Sequence, residues 1–364
     1  MHELTVKENQ KISATVTFCL VHTAQFGVGV LGYSRIVAKS AGYDGWISVI
    51  FAGICIHLIM WVIYKLLKTG QGNIIHIHHD LFGKWIGGLF NVFFIVYFFL
   101  GSVSILRTYI EIIQVWMFPG LPTWSLSIVL LLLCYYMIAS GFRVITGIAC
   151  ISILMLIIVM VVLLFPLKYA HISNLLPVFN HSISDLLLAA KDSTYTMLGF
   201  ETILMFYPFI QNAEKSQKYA QYGIAFSNVL FVTNILATFV FFSEEQLSQS
   251  IWSQLAMTSV ISLPVIERLE YIVISLYAAI VLSSVVITLW AANRGIREVF
   301  GLKQKYSLWL LVILAFGLCQ VLNERHLINK SISFLSNTYL LVVFGYIPIL
   351  TLLYVWYKKR RARA

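Results

Sequence analysis

Ten long apolar runs dominate this chain and restrict it to very few folds. They cover residues 12–33, 46–67, 85–115, 124–140, 144–165, 188–209, 221–242, 266–291, 307–322 and 335–357. About 20 mostly apolar residues are needed for a helix to cross a bilayer. In hydrocarbon every backbone N–H and C=O must find a partner inside the protein, so only helices and closed barrels span membranes. Barrel strands alternate in segments of about 10 residues, and these runs do not alternate. The expectation is an all-α integral membrane protein with about ten transmembrane helices. Charged residues make up 11% of the chain against about 25% in soluble domains, which excludes a soluble or disordered protein.

No soluble domain fits between the runs, so residues 1–364 read as a single transmembrane domain. The five cysteines are scattered within apolar runs without CxxC spacing, and read as packed thiols rather than a disulfide framework or a zinc site. Residues 1–11 carry charges of both signs and lead into the first run without a cleavage site, which predicts a retained helix and no signal peptide.

The net charge of +10 reads as membrane topology, not as a nucleic-acid surface. Seventeen of the 25 Lys and Arg side chains fall on one side of the ten runs and seven on the other, with Arg107 inside the third. Basic residues concentrate on the cytoplasmic side, so both termini are expected in the cytoplasm.

Ten spans divide into five plus five, and an odd-numbered half must be inverted relative to the other. The halves would be residues 12–165 and 188–357, with spans one and six corresponding. Both carry glycine interruptions: Gly27, Gly29 and Gly32 in the first, and Gly199 with Pro208 further on in the sixth. Matching interrupted helices in two halves are the sequence pointer to a transporter-type binding site. Irregular backbone at membrane depth survives only where it lines a cavity or is buried in protein. The first interruption also spells G-x-G-x-x-G (residues 27–32), but no strand precedes it, so a dinucleotide site is rejected.

Charged side chains inside spans are costly and usually functional. Arg107 and Glu111 stand four apart on one helix face and are expected to pair, as a structural bridge, a gate or a proton relay. Glu201 beside Gly199 reads as an anchor for the broken helix in preference to a direct ligand contact. Ser283, Ser284 and Thr288 in the eighth span either bond back to the helix or join a site. Tyr97 and Gly101 either pack or form a pocket wall. His76, His78, His79 and Asp80 read as a solvated loop, not a metal site. No H-E-x-x-H, P-loop or nucleophile elbow occurs, so no catalytic residue, metal or cofactor is expected.

Six segments carry a family resemblance: residues 26–35 (FGVGVLGYSR), 42–48 (GYDGWIS), 81–88 (LFGKWIGG), 198–208 (LGFETILMFYP), 264–270 (PVIERLE) and 291–302 (AANRGIREVFGL). In this order and spacing the chain resembles the B subunit of bacterial endospore germinant receptors, the spore germination permeases of the amino acid–polyamine–organocation superfamily. The resemblance implies a LeuT-type fold with a small pocket among spans one, three, six and eight. It implies that the backbone of Gln25, Phe26, Gly27, Val28 and Gly29, and of Leu198, Gly199 and Phe200, receives a substrate carboxylate. Tyr97, Gly101, Tyr195 and Ser283 would shape the side-chain end, with Arg107, Glu111, Glu201 and Ser284 as structural or gating groups.

The resemblance further implies a nutrient sensor, with an amino acid as germinant, in the spore inner membrane beside A and C subunits. A secondary amino acid transporter is the alternative. Two departures stand out: Ser34 precedes Arg35 where the family often has proline, and residues 144–165 lack the charge that proton-coupled relatives place in the fifth span.

Overall fold

The computed structural model describes residues 6–261 and 268–363. Residues 264–267 of the PVIERLE segment and the first two residues of the eighth predicted run lie outside the described residues.

The described chain is helical from end to end. The first span is α1 (Thr17–Gln25) and α2 (Tyr33–Ala41), separated by non-helical Phe26 and Gly27 and a 3-10 turn, Val28–Leu31. Next come α3 (Gly45–Gly70), α4 (Ile74–Trp116), α5 (Thr123–Ala139) and α6 (Phe142–Val162). The sixth span is α7 (Ile183–Thr196), a break, a 3-10 turn at Phe200–Thr202, then α8 (Ile203–Phe206) and a second 3-10 turn, Tyr207–Phe209. After α9 (Gln217–Phe241) come two short helices, α10 (Glu244–Gln249) and α11 (Ser253–Ser259). The chain closes with α12 (Leu269–Phe300), α13 (Gln304–Val321), α14 (Arg325–Leu340) and α15 (Ile347–Arg361), the last two joined by a π-helical segment, Leu341–Tyr346.

Among the described residues, seven helical stretches are long and apolar enough to cross a membrane unaided, and Thr123–Ala139 is a shorter apolar helix. The other three predicted runs are Thr123–Ala139 and the two interrupted spans, in which neither α1 nor α7 is long enough to cross alone. The most deeply buried candidate span is α12, which packs against α4, α6 and α1.

Local chemistry explains where elements start. Ser182 and Asp185 form a reciprocal capping box at the start of α7, and Asn73 accepts from the His76 N–H to open α4. Gly83 (φ +74°) kinks α4, so residues 74–82 form a separate helical segment. This corrects the solvated-loop reading. His78 is buried, its Nδ1 2.8 Å from Asn91 Oδ1 and its Nε2 2.8 Å from the Tyr346 hydroxyl. The first span also runs on to Ala41, past the predicted end at residue 33. Its polar outer half escapes an apolar search because only Tyr33, Ser34, Val37 and Ala41 face inward.

At the end of the bundle that carries the termini, the segment before α1 is strapped across the sixth span. Ile12 N–H donates to the Phe209 carbonyl and Gln211 N–H to the Ile12 carbonyl, both at 2.8 Å. Arg143 Nε donates to the Lys11 carbonyl at 3.0 Å.

Arg107 and Glu111 do not pair with each other, contrary to the helical-spacing expectation. Arg107 Nε donates to the Leu322 carbonyl at 2.5 Å and a terminal nitrogen to the Asn323 carbonyl at 3.2 Å. Its charge thereby sits on the C-terminal carbonyls of α13, the negative end of that helix dipole. Glu111 Oε2 lies 2.6 Å from an Arg325 nitrogen at the start of α14. Tertiary partners outcompete the i,i+4 neighbour, which is worth only about 0.3–0.5 kcal/mol.

A double-mutant cycle on the detergent-purified protein, read by thermal unfolding, checks this. Glu111→Ala with Arg325→Ala should show a coupling of roughly 0.5–3 kcal/mol, and Arg107→Ala with Glu111→Ala should be additive to within about 0.5 kcal/mol. Strong Arg107–Glu111 coupling would contradict the assignment.

Candidate functional site

The two helix breaks meet. Gly199, in the second break, has φ +115°, and its Cα is packed so closely on α1 that an added Cβ would lie 2.0 Å from the Ala24 carbonyl oxygen. Only glycine fits there: the backbone angle strains any L side chain, and the space is already filled. The Gln25 amide reaches across, Nε2 donating to the Met197 carbonyl at 2.9 Å. Residues 197–199 and 25–27 therefore support one another, as irregular backbone in an apolar bundle must.

Glu201, 1% exposed, stitches the second break to α4. One carboxylate oxygen accepts from the Gly199 N–H at 2.8 Å and the other from the Tyr97 hydroxyl at 2.8 Å. Tyr339 stacks on Tyr97 with ring centroids 3.9 Å apart, and its hydroxyl donates to the Tyr97 carbonyl at 2.9 Å. That stack requires Gly101, where an added Cβ would lie 2.0 Å from the Tyr339 hydroxyl oxygen. On α12, Ser284 donates to the Thr23 carbonyl at 2.7 Å and so ties the end of α1 to the central helix.

Beside the breaks lies a cavity of about 550 Å³. Of the residues singled out from sequence, Gln25, Gly27, Val28, Gly29, Gly101, Tyr195, Leu198, Gly199, Glu201 and Thr288 line it. Phe26, Tyr97, Phe200, Ser283 and Ser284 are not in its wall. Phe26 packs inward on Phe231, with ring centroids 5.1 Å apart. Tyr97 lies behind Tyr339, and Phe200 is buried in the turn after the break. Ser283 points toward α6, donating to the Ala279 carbonyl at 2.7 Å and the Ile148 carbonyl at 3.4 Å. One residue on a helix is a rotation of about 100°, enough to send Ser283 and Ser284 to different neighbours. Neither Arg107 nor Glu111 is in the wall.

Several wall residues have no obvious sequence signal. Tyr339 reads as one more aromatic in the tenth run. Arg35 and Lys39 on α2 and Arg325 on α14 put three cations on the cavity's outer part. Arg325 also lies over the Trp252 ring, 5.2 Å from its centroid, while pairing with Glu111. Among the described residues, no group of three or more His, Cys, Asp or Glu is placed to hold a metal ion.

The chemistry on offer is that of a small polar ligand site. The first N–H groups of a helical turn have no partner within it, so the turn at Val28–Leu31 presents donors beside the cavity. The N–H of Gly199 is already taken by Glu201.

The family described as "Spore germination protein" matches residues 11–328. Spore germination protein GerQB of Bacillus cereus is 40% identical over 343 residues, covering 94% of this chain and 95% of its own length. Spore germination protein YndE of Bacillus subtilis (strain 168) is 24% identical over 358 residues, covering 96% and 98%. Among solved structures, a substrate-bound, outward-open Na+-coupled sialic acid symporter superposes with a TM-score of 0.63 at 13% identity, covering 95% of this chain and 79% of that one. The fold is thus transporter-like, a LeuT-type arrangement with broken spans one and six.

Gly199→Ala should destabilise the purified protein by roughly 3 kcal/mol or more, from backbone strain and overpacking together, or prevent its accumulation. Gly27→Ala, whose nearest neighbour would be Ser284 Oγ at 3.7 Å, should unfold within a few degrees of wild type. Equal tolerance at both positions would show that the breaks do not touch.

Proposed function

The chain belongs to the spore germination protein family, and from that premise we propose that it is the B subunit of a germinant receptor that binds a small nutrient in the cavity beside its helix breaks. The observation that carries this reading is the cavity itself, about 550 Å³, walled by both breaks and by polar groups of α4, α12 and α14. The nutrient is an amino acid. Its carboxylate docks on the N–H groups of the Val28–Leu31 turn. Arg35, Lys39 and Arg325 at the outer part draw the carboxylate in.

The signal is a population shift: the ligand binds one packing of the bundle more tightly than another. In this reading residues 12–165 and 188–357 are inverted repeats, each opened by its broken span. Both termini face the cytoplasm, in keeping with the basic tail around Lys358 and Arg361. The protein sits in the spore inner membrane with A and C subunits.

Spores lacking the gene, challenged with single amino acids and sugars, test the proposal. Loss of response to one amino acid, restored by the wild-type gene but not by Ile105→Trp, which fills the cavity from α4, is the expected result. A restored response with Ile105→Trp would remove the cavity from the mechanism. Accumulation of labelled amino acid by liposomes holding this chain alone would instead identify a transporter.

A further inference from the structure

The outward face of α14 carries a polar side chain where a bilayer offers it no partner. A helix turns about 100° per residue, so Lys330, Phe334 and Asn337 share one side of α14, while buried Ile328, Leu335 and Tyr339 take the opposite side. Phe334 is 67% exposed and Leu341, about one turn past Asn337, is 73% exposed. Asn337 between them is also exposed, lies outside the cavity wall, and its carboxamide has no hydrogen-bond partner among the described residues. The adjacent Thr338 satisfies itself, its hydroxyl donating to the Phe334 carbonyl at 3.0 Å.

The depth of Asn337 follows from α4. Tyr97 stands twelve residues after the exposed Trp85 and ten before Arg107. At about 1.5 Å per residue these are roughly 18 and 15 Å, about half the hydrocarbon core on either side. Tyr339 stacks on Tyr97, and Asn337 precedes Tyr339 by two residues, about 3 Å along the axis. The carboxamide is therefore close to the bilayer midplane and too short to reach a headgroup, whereas the long stem of Lys330 can carry its charge outward. An amide without a partner is costly in hydrocarbon, and polar side chains within spanning helices hydrogen-bond across to neighbouring helices.

We propose that this face of α14 docks a transmembrane helix of another polypeptide, which presents a hydrogen-bonding side chain to Asn337 at mid-depth. The inference rests on reading this chain as one subunit of a membrane receptor, and it makes no use of the cavity. Charge argues against a second copy as the partner. About a twofold axis along the membrane normal, equal depths face each other, so Lys330 would meet Lys330, and like charges oppose association. Lys330 has no ion pair among the described residues. The partner helix carries an acidic or carbonyl acceptor about two turns outward of its polar residue.

The test places a benzophenone amino acid at Phe334, beside an intact Asn337, in cells that make this chain with its natural complement of membrane proteins. Ile313 on α13, 62% exposed, is the lipid-facing control. Light should join position 334, and not 313, to a different chain. Mass spectrometry of the adduct should place the joined residue in an apolar helix within one turn of a hydrogen-bonding side chain. Asn337→Leu should lower the yield roughly threefold or more. The detergent-purified Asn337→Leu chain should unfold within about 2 °C of wild type, because the carboxamide has no internal partner to lose. An adduct of twice the mass of this chain, an unchanged yield with Asn337→Leu, or a clear fall in its unfolding temperature each overturns the proposal. If other exposed positions join to a second chain and 334 does not, this face falls and the subunit reading stands. If no exposed position joins to any other chain, both fall.

Discussion

Everything in this bundle is organised by the contact between two interrupted helices. A spanning helix normally satisfies its own backbone, and interrupting one leaves N–H and C=O groups that hydrocarbon cannot accept. Here the interruptions are buried against each other. Gly199 lies on the Ala24 carbonyl, the Gln25 amide holds the Met197 carbonyl, the Glu201 carboxylate takes the Gly199 N–H, and Ser284 takes the Thr23 carbonyl. Each bond repairs a defect that the breaks create.

From this contact a polar chain runs outward through the apolar bundle. Glu201 leads to Tyr97 on α4, and Tyr97 to Tyr339 on α14, with Gly101 making room for the ring. The state of the second break is thus tied to the helix pair α14–α15, whose π-helical junction also brings Tyr346 to buried His78. The two ends of the bundle differ. At the terminal end Ile12, Phe209, Gln211 and Arg143 form a backbone strap. At the other end Glu111, Arg325 and Trp252 form a side-chain cluster at the cavity's cationic outer part.

Much of this was legible in the residues. All ten predicted runs overlap helices or broken helices of the described residues, and the breaks fall at the glycines that flagged them. Glu201 accepts from the N–H of Gly199, two residues before it in sequence, and from the Tyr97 hydroxyl. The errors share a cause. Arg107 and Glu111 were paired by helical spacing, yet the carbonyls of Leu322 and Asn323 and the charge of Arg325 lie more than 200 residues away in sequence. Ser283 was preferred to Thr288 for the pocket, because nothing in a run of hydroxyls says which faces α6 and which the cavity.

The sequence by itself determined the membrane-spanning helical class, the location of both interruptions and the family, because apolar length, glycine and short motifs are local properties that a chain carries unfolded. Tertiary structure decided which carbonyls Arg107 caps and which hydroxyls face the cavity. Those outcomes depend on helices distant in sequence arriving at hydrogen-bonding distance, and a bond of about 3 Å tolerates no error in that arrival.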